Sequence, residues 1–335
     1  MKAIAYTQHG LPIDDAAALV DIDLPMPLPG PRDLLVQVQA VSVNPVDTKV
    51  RMNSPVTAPR VLGWDAVGTV HAVGADVTLF KPGDEVFYAG AIDRPGSNSE
   101  YQLVDERIVG HKPRSLGVAE AAALPLTAIT AWELLFDRLG VPEGGGAGQR
   151  LLVVGAAGGV GSVLVQLARQ LTQLTVIGTA SRPETADWVK ALGAHHVIDH
   201  GRPLAAELEG AGLPKVEHVA SLTHTEQHYL QLIAALQPQG RLALIDDAAM
   251  LDAMPLKSKS ISLHWELMFT RSLYQTPDMQ RQHDLLERVA ALVDAGTLRS
   301  TANEHFGTIN AANLRRAHAL VQSNRSRGKA VLAGF

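Results

Sequence analysis

The sequence predicts an α/β protein in which a doubly wound parallel sheet is inserted into a second, mainly β domain. From about residue 119, strand-like and helix-like runs alternate, as they do in parallel βαβ units. Within this region the apolar run 151–154 leads through the glycine-rich turn 155–161 into a helical run. Before residue 119, short strand-like runs are separated by Gly and Pro, which is typical of a compact antiparallel domain.

The length of 335 residues predicts two domains. We place the mainly β domain at residues 1–125 and 271–335, and the doubly wound domain at 126–270. The strands expected in the second domain are 151–155, 174–179, 196–198, 216–221, 241–245 and 260–265, and the helices are 128–139, 160–171, 183–192 and 226–236. The tail is expected to carry helices 280–295 and 311–323, a short strand around Phe306 and a closing strand 330–333.

Composition excludes several functional classes. The formal net charge of -5, with both signs interspersed, leaves no basic stripe for nucleic acid. We see no uncharged apolar run of the ~18 residues expected of a membrane span, and the start turns polar too early for a signal peptide, so we expect a cytoplasmic protein. The sequence has 0 Cys, so any metal site would have to use histidine and carboxylate ligands.

The glycine-rich turn predicts a dinucleotide site, because strand, turn and helix follow in the required order. Glycine permits the tight turn, and backbone N–H groups can then approach a pyrophosphate at the helix N-terminus. The predicted cofactor-binding residues of this turn are Gly155, Ala157, Gly158, Gly159, Val160 and Gly161.

The segment after the second strand favours NADPH over NADH. The end of that strand meets the adenine ribose, where a carboxylate suits a free 2′-OH and a basic residue suits a 2′-phosphate. Ser181 and Arg182 lie here without an acidic neighbour in the segment 178–183. The alternative interpretation is that Ser181 caps the helix starting at Pro183 and Arg182 points to solvent. His200 is interpreted as a surface histidine.

Further segments carry a family resemblance that covers nearly the whole chain. They are Asn-Pro-Val-Asp at 44–47, Gly-Trp-Asp-Ala-Val-Gly at 63–68, Lys-Pro-Gly-Asp-Glu-Val at 81–86 and residues 124–132, all in the family's order. With the glycine turn, they resemble the quinone oxidoreductase and zeta-crystallin group of the medium-chain dehydrogenase/reductase superfamily, and most closely a bacterial branch labelled zinc-type alcohol dehydrogenase-like. The resemblance implies a Rossmann domain inserted into a GroES-like catalytic domain.

The resemblance also indicates that zinc is not used. Zinc-dependent members have an early cysteine and a Gly-His-Glu segment as ligand sources, whereas this chain has Asn44 and Gly63-Trp64-Asp65 there. Without a Lewis acid to lower the pKa of an alcohol, we expect reduction of an acceptor that is already electrophilic. The predicted reaction is hydride transfer from NADPH to a quinone or an α,β-unsaturated carbonyl.

Asn44, Asp47 and Asp65 are the predicted catalytic polar residues. Asn44 is the first choice for a donor that stabilises the developing anion, followed by Asp47 and Lys49. Each has a structural alternative: Asn44 could start a turn, and Asp65 could be a buried acceptor. Asp47 and Arg51, four residues apart, could form an ion pair on a helix surface.

Three more residues complete the predicted site. The resemblance places Thr127 beside the nicotinamide, although a hydroxyl at a helix start is the structural alternative. Ser221 ends a predicted strand of the doubly wound domain and is included among the cofactor-binding residues. Lys329 resembles a position that can reach the cofactor phosphates, or it could simply be solvated.

Two other functions remain open from the sequence. One is a zinc alcohol dehydrogenase with unusual ligands, for which histidines such as His71 and His264 would have to converge. The other is an NADPH-binding protein with little turnover. A homodimer is expected because the apolar segment 260–267 would otherwise leave an exposed sheet edge.

Overall fold

The computed structural model describes residues 1–335. The chain divides into a first unit, Met1–Ile129 with Phe269–Phe335, and a second unit, Thr130–Met268. The second unit is therefore an insertion in the first.

Sixteen strands and eleven α-helices make up the two units. The strands are β1 (Lys2–Tyr6), β2 (Val20–Asp23), β3 (Asp33–Val43), β4 (Arg60–Val61), β5 (Ala66–Val73), β6 (Glu85–Tyr88), β7 (Tyr101–Asp105), β8 (Val109–His111), β9 (Arg150–Val154), β10 (Thr175–Thr179), β11 (His196–Ile198), β12 (Val216–Ser221), β13 (Leu236–Leu244), β14 (Ser262–Trp265), β15 (Ala302–His305) and β16 (Lys329–Ala333). The helices are α1 (Pro45–Asn53), α2 (Val118–Ala122), α3 (Pro125–Trp132), α4 (Gly159–Leu171), α5 (Pro183–Ala191), α6 (Leu204–Gly210), α7 (Thr225–Ala235), α8 (Met254–Lys257), α9 (Thr270–Leu273), α10 (Arg281–Asp294) and α11 (Ala311–Gln322).

The second unit is built on a six-stranded sheet in the order β11-β10-β9-β12-β13-β14. All neighbouring strands are parallel, and the order reverses at β9, so the predicted doubly wound sheet is confirmed. β9 is almost entirely apolar because central parallel strands are buried on both faces. Val154 pairs with Ser221, which brings the ends of β9 and β12 side by side.

The first unit contains a seven-stranded sheet and a three-stranded sheet. The larger follows the order β15-β16-β3-β5-β6-β8, with β7 also paired to β3, and the smaller follows β2-β1-β4. Most pairs are antiparallel, as expected for the mainly β domain. β16 pairs with β3 so that Ala330 lies opposite Val43. This register brings the C-terminal strand to the start of α1.

Helices α6 and α8 of the second unit were not predicted, and two predicted elements differ from the structure. β13 begins five residues earlier than expected, at Leu236, because a break in register opposite Val216 and His218 accommodates the turn-forming residues 238–240. The expected helix 128–139 is instead α3 followed by a π-helical stretch, Glu133–Arg138.

The segment Val118–Arg138 has the length and hydropathy of a membrane-spanning helix, but 78% of its apolar window is buried inside the protein. Core helices of globular proteins have the same composition.

Candidate active site

The glycine-rich turn of the second unit joins β9 to α4. Gly155 has a φ of +82°, a left-handed conformation that favours glycine. A Cβ atom at Gly161 would lie 2.4 Å from the Gly155 carbonyl oxygen, so only glycine lets α4 start this close to the turn. The six predicted residues of the turn, Gly155, Ala157, Gly158, Gly159, Val160 and Gly161, all lie between the end of β9 and the first turn of α4.

This turn fits the pyrophosphate of a dinucleotide. Gly158 is the N-cap of α4, which runs for 13 residues. The first N–H groups of a helix have no intrahelical acceptors, and the helix dipole adds a partial positive charge there. Backbone donors are therefore concentrated at the point where β9 ends, which is the arrangement that binds phosphate in this fold.

The end of β10 is hydrogen-bonded to the turn. Thr179 Oγ1 accepts the Gly155 N–H at 3.2 Å and lies 3.2 Å from His200 Nδ1. His200, interpreted from the sequence as a surface residue, is half-buried. The end of β10, where the adenine ribose is expected to bind, therefore has an imidazole beside it.

Ser181 and Arg182 follow β10 directly, but their local roles differ from the sequence-based alternative. The N-cap of α5 is Arg182, not Ser181, and Pro183 is the first helical residue. The Arg182 N–H lies 3.3 Å from Thr185 Oγ1, and Arg182 Nε lies 3.3 Å from an oxygen of Glu184. The guanidinium is partly exposed, next to one surface carboxylate on the same helix.

Ser221 belongs to a partly buried hydroxyl and carboxylate network at the ends of β12 and β13. Its Oγ lies 2.7 Å from Thr225 Oγ1. Asp246 accepts the Thr225 N–H at 2.8 Å and also bonds to the Thr225 hydroxyl. The sequence analysis did not select Thr225 or Asp246, although both follow the carboxyl end of a strand, where ligands bind in this fold.

The first unit contains a buried polar cluster centred on Asp65, whose carboxylate accepts four hydrogen bonds. Ser42 Oγ and Asn44 Nδ2 donate to Oδ2 at 2.7 and 2.8 Å. Lys329 Nζ donates to the same oxygen at 2.9 Å, and the Leu126 N–H donates to Oδ1 at 2.7 Å. All four side chains are buried, so Asp65 and Lys329 form an ion pair that water does not screen.

Lys329 is bonded to this cluster in the structure. Its ammonium also donates to the Val43 carbonyl at 3.1 Å and to Asn44 Oδ1. Three bonds use all three N–H groups of a lysine. The Asn44 amide is also fully engaged, since Nδ2 lies 3.3 Å from the Trp64 carbonyl as well as bonding to Asp65.

Asp47 is buried at the third position of α1. Its Oδ2 accepts the Asn44 N–H at 2.7 Å, and its Oδ1 is buried. Burial raises the pKa of Asp47 to about 7, and the nearby Asp65 carboxylate acts in the same direction, while the Asn44 N–H and Lys329 oppose the shift. This carboxyl therefore exchanges its proton near neutral pH.

The proposed surface ion pair between Asp47 and Arg51 is wrong. Both residues are buried, and the Arg51 guanidinium donates to the Leu11 carbonyl at 2.6 Å. Its remaining buried nitrogens, Nε and Nη2, have no hydrogen-bond partner.

Thr127 lies on α3 and is buried. Its hydroxyl oxygen is 3.0 Å from the Leu124 carbonyl and 3.3 Å from that of Ala123. The hydroxyl is thus bonded to the residues that lead into α3, as the structural alternative of a hydroxyl at a helix start expects.

The residues at the expected metal-ligand positions do not fit zinc. Asn44 Oδ1 and Asp65 Oδ2 both accept from an ammonium group, and the Trp64 indole donates to the Ala91 carbonyl at 3.2 Å. Zinc sites use thiolate, imidazole or free carboxylate ligands. His71, offered as an unusual ligand, is exposed and packs against the ring of Tyr101.

Two family models match the chain. Residues 30–129 match the alcohol dehydrogenase GroES-like domain, and residues 192–332 match a zinc-binding dehydrogenase domain. A zinc-type alcohol dehydrogenase-like protein of Staphylococcus aureus (strain MSSA476) is 42% identical over 306 residues, 90% of each chain.

Solved structures share the whole fold. A Rhizobium etli CFN 42 protein assigned to the zinc-dependent alcohol dehydrogenases is 58% identical, with a TM-score of 0.96 over 100% of this chain and 98% of that one. The quinone oxidoreductase of Pseudomonas syringae pv. Tomato DC3000 is 26% identical, with a TM-score of 0.83 over 99% of both chains.

Proposed function

Because the chain belongs to the medium-chain dehydrogenase/reductase superfamily, we propose that this oxidoreductase transfers hydride from NADPH to a quinone or an α,β-unsaturated carbonyl without zinc. The observation that carries the proposal is the ion pair of Lys329 and Asp65 at the expected metal-ligand positions. The ammonium is bonded to both oxygen atoms that a metal ion would need there.

The chemistry follows from this set of donors. Oxidation of an alcohol by a nicotinamide at neutral pH needs a group that lowers the alcohol pKa, which zinc supplies in metal-dependent enzymes. Asn44 and Trp64 supply no such group. A quinone or an enone is already electrophilic, so it can accept hydride without a metal. One hydride and one proton then convert the acceptor to a hydroquinone or a saturated carbonyl compound.

The second unit supplies the residues for the cofactor. The N-terminal turn of α4 would hold the pyrophosphate, and Gly155 and Gly161 keep that turn open to it. Ser181 and Arg182, which directly follow β10, would hold the 2′-phosphate, with the Arg182 guanidinium as the cation. NADPH, when bound, supplies the hydride from its nicotinamide ring.

The first unit supplies the polar cluster. Asn44 and Lys329 have all their N–H groups bonded inside the cluster, so we assign them and Asp65 to positioning rather than to direct proton transfer. They fix the backbone at the start of α1. Asp47, which titrates near neutral pH, is the group of this cluster that could store a proton. We keep Thr127 in the proposed site, because it matches a threonine of the resembled family.

The relatives agree with this proposal at the level of reaction class. A quinone oxidoreductase shares the complete fold at 26% identity. The Staphylococcus aureus relative, described as zinc-type alcohol dehydrogenase-like, is 42% identical, which makes alcohols and aldehydes the comparison substrates of choice.

An acceptor panel tests the proposal. Oxidation of NADPH and of NADH is followed at 340 nm with quinones, enones, enals and simple aldehydes. We expect turnover of quinones or enones, with NADPH preferred over NADH. We expect Arg182→Ala to weaken the binding of NADPH more than the binding of NADH. Arg169→Ala, an exposed arginine in the last turn of α4, is the matched control. Reduction of aldehydes alone would support the alcohol dehydrogenase alternative, and cofactor binding without any turnover would support the binding-protein alternative.

We also propose that the protein is a homodimer paired through β14. This strand is the last in the sheet order. Its final residue Trp265 and the nearby Leu267 are 50% and 52% exposed. An exposed apolar edge strand is a ready partner for a second copy. Light scattering at micromolar concentration should give twice the chain mass of 35.7 kDa, and Trp265→Lys should reduce it to one chain. A monomer in the unmodified protein would contradict the proposal.

A further inference from the structure

Three histidines gather at one end of the sheet of the second unit. His200 follows β11, His224 immediately precedes α7, and His228 lies in the first turn of α7. The His200 and His228 rings are 6.1 Å apart between centroids, at an interplanar angle of 77°. His224 has a left-handed φ of 52°, and its Nδ1 lies 2.7 Å from Thr223 Oγ1. Neither the fold nor the hydride-transfer chemistry explains this cluster.

The cluster is hydrogen-bonded to the end of β10, where we expect the adenine ribose to bind. His200 Nδ1 and the Gly155 N–H meet at the same Thr179 hydroxyl oxygen, each at 3.2 Å. Because Thr179 accepts the Gly155 N–H, its own proton can go to Nδ1, which leaves the His200 proton on Nε2. On the other ring, His228 Nδ1 is buried and has no hydrogen-bond partner.

Burial lowers the pKa of two of the three histidines. Burial lowers the pKa of His200, and His224 lowers it further, while Asp199 opposes the shift. Burial also lowers the pKa of His228, with added repulsion from His200 and His224. An anion beside such a ring favours its protonated form.

The fixed charges on the surrounding elements are mostly acidic. Arg202 lies 3.9 Å from Asp199 and 3.6 Å from Glu207, and Arg182 lies 3.3 Å from Glu184. The loop after β11 carries Asp199 and Arg202, and α5 with its N-cap carries Arg182, Glu184, Asp187 and Lys190. Helix α6 carries Glu207 and Glu209, α7 carries Glu226, and Asp246 bonds to the first residue of α7. No excess of fixed positive charge is therefore built into these elements.

We propose that His200 and His228, assisted by His224, form a proton-coupled subsite for the 2′-phosphate of NADP(H). The proposal rests on the proposed use of NADPH and explains how this chain would select it. A phosphate dianion beside the two rings favours imidazolium, so binding draws a proton from solvent onto the cluster. The ribose 2′-OH of NAD(H) carries no charge and draws none. Selectivity for NADP(H) should then weaken as pH rises.

Calorimetry measures this proton directly. NADP⁺ and NAD⁺ are titrated into the whole protein at pH 7.5 in Hepes and in Tris, whose ionisation enthalpies differ. We expect the protein to take up between about half a proton and one proton per site when NADP⁺ binds, and none when NAD⁺ binds. Linkage then weakens the affinity for NADP⁺ by up to about tenfold for each unit by which pH rises. Each proton taken up contributes one unit to the slope of log affinity against pH. NAD⁺ affinity should be flat.

Variants of the histidines test whether the cluster is the group that takes up the proton. His200→Asn and His228→Gln together should abolish both the proton uptake and the pH slope of NADP⁺ affinity. His196→Asn, at the opposite end of β11, is the matched control and should change neither. The measurement on the unmodified protein decides the question even if the double variant does not fold.

The outcomes separate this inference from the cofactor proposal. Tight NADP⁺ binding without proton uptake, or uptake that survives in the double variant, would overturn the histidine subsite and leave NADPH as the cofactor. Failure of NADP⁺ to bind at any pH, with NAD⁺ binding normally, would overturn both.

Discussion

Replacing Asp47 by Asn should stabilise the protein at alkaline pH and leave it nearly unchanged at acid pH. The Asn side chain keeps an oxygen that can accept the Asn44 N–H, now at 2.7 Å from Asp47 Oδ2, so the start of α1 is preserved. The substitution removes only the buried negative charge. Asp65 and Lys329 keep their ion pair.

The magnitude follows from the difference between the folded and unfolded pKa of Asp47. The folded value of about 7 lies above the ordinary value of 3.8, so the folded state binds the proton more tightly. The stabilising contribution of the protonated carboxyl is complete below pH 3.8 and is lost progressively as pH rises to about 7. Between pH 5 and pH 8 this loss amounts to roughly 3 kcal/mol, at about 1.4 kcal/mol per pH unit.

Urea unfolding at pH 5, 6, 7 and 8 measures the effect. The stability of D47N relative to the unmodified protein should rise by roughly 3 kcal/mol across this range. The control is Asp294→Asn. Hydrogen bonds from Ser115 lower the pKa of the exposed Asp294 carboxyl, so its ionisation is complete throughout the range. A D47N effect that does not vary with pH, or that falls as pH rises, would refute the assignment of a buried, near-neutral carboxyl.

Three further predictions concern named contacts. Replacing Lys329 by Met leaves the Asp65 carboxylate buried without its cation, and we expect a loss of about 3–5 kcal/mol in urea unfolding; a loss below about 1 kcal/mol would show that the pair is not buried. Burial, with Arg51 adding to it, lowers the pKa of His318 to about 3, so its stabilising contribution is complete above the ordinary pKa of 6.5 and is lost as pH falls toward 3. His318→Gln should therefore flatten the decline of melting temperature from pH 6.5 to pH 4, and an unchanged decline would contradict this. Gly161→Ala places a Cβ 2.4 Å from the Gly155 carbonyl oxygen, so calorimetry should detect at least tenfold weaker NADP⁺ binding, and unchanged affinity would remove the turn from the site.

The fold could be predicted because its signals are local. Parallel strands buried on both faces give continuous apolar runs such as 151–154, and helices follow them at regular spacing. Residues 196–198 and 216–221 form strands with the predicted bounds. The prediction of the start of β13 failed because Pro238 and Gly240 are normally turn residues. A break in the register of the sheet accommodates them within the strand.

The polar cluster could be predicted only in part, because it depends on contacts between distant residues. Asn44 and Asp65 were identified from motifs, but the pairing of β16 with β3 is what brings Lys329 to them across 285 and 264 residues. The burial of Arg51 has the same origin, since α11 packs against α1. Spacing of four residues describes one helix face, and it carries no information about what covers that face.

The central claim is tested most directly by measuring metal content and turnover on the same sample. Protein treated with a chelator is assayed for zinc by mass spectrometry and for NADPH oxidation with a quinone and an enone. We predict less than about one tenth of a zinc ion per chain with full activity, because Lys329 is bonded to the oxygens of Asn44 and Asp65. Activity that disappears with the chelator and returns in proportion to added zinc would contradict the account.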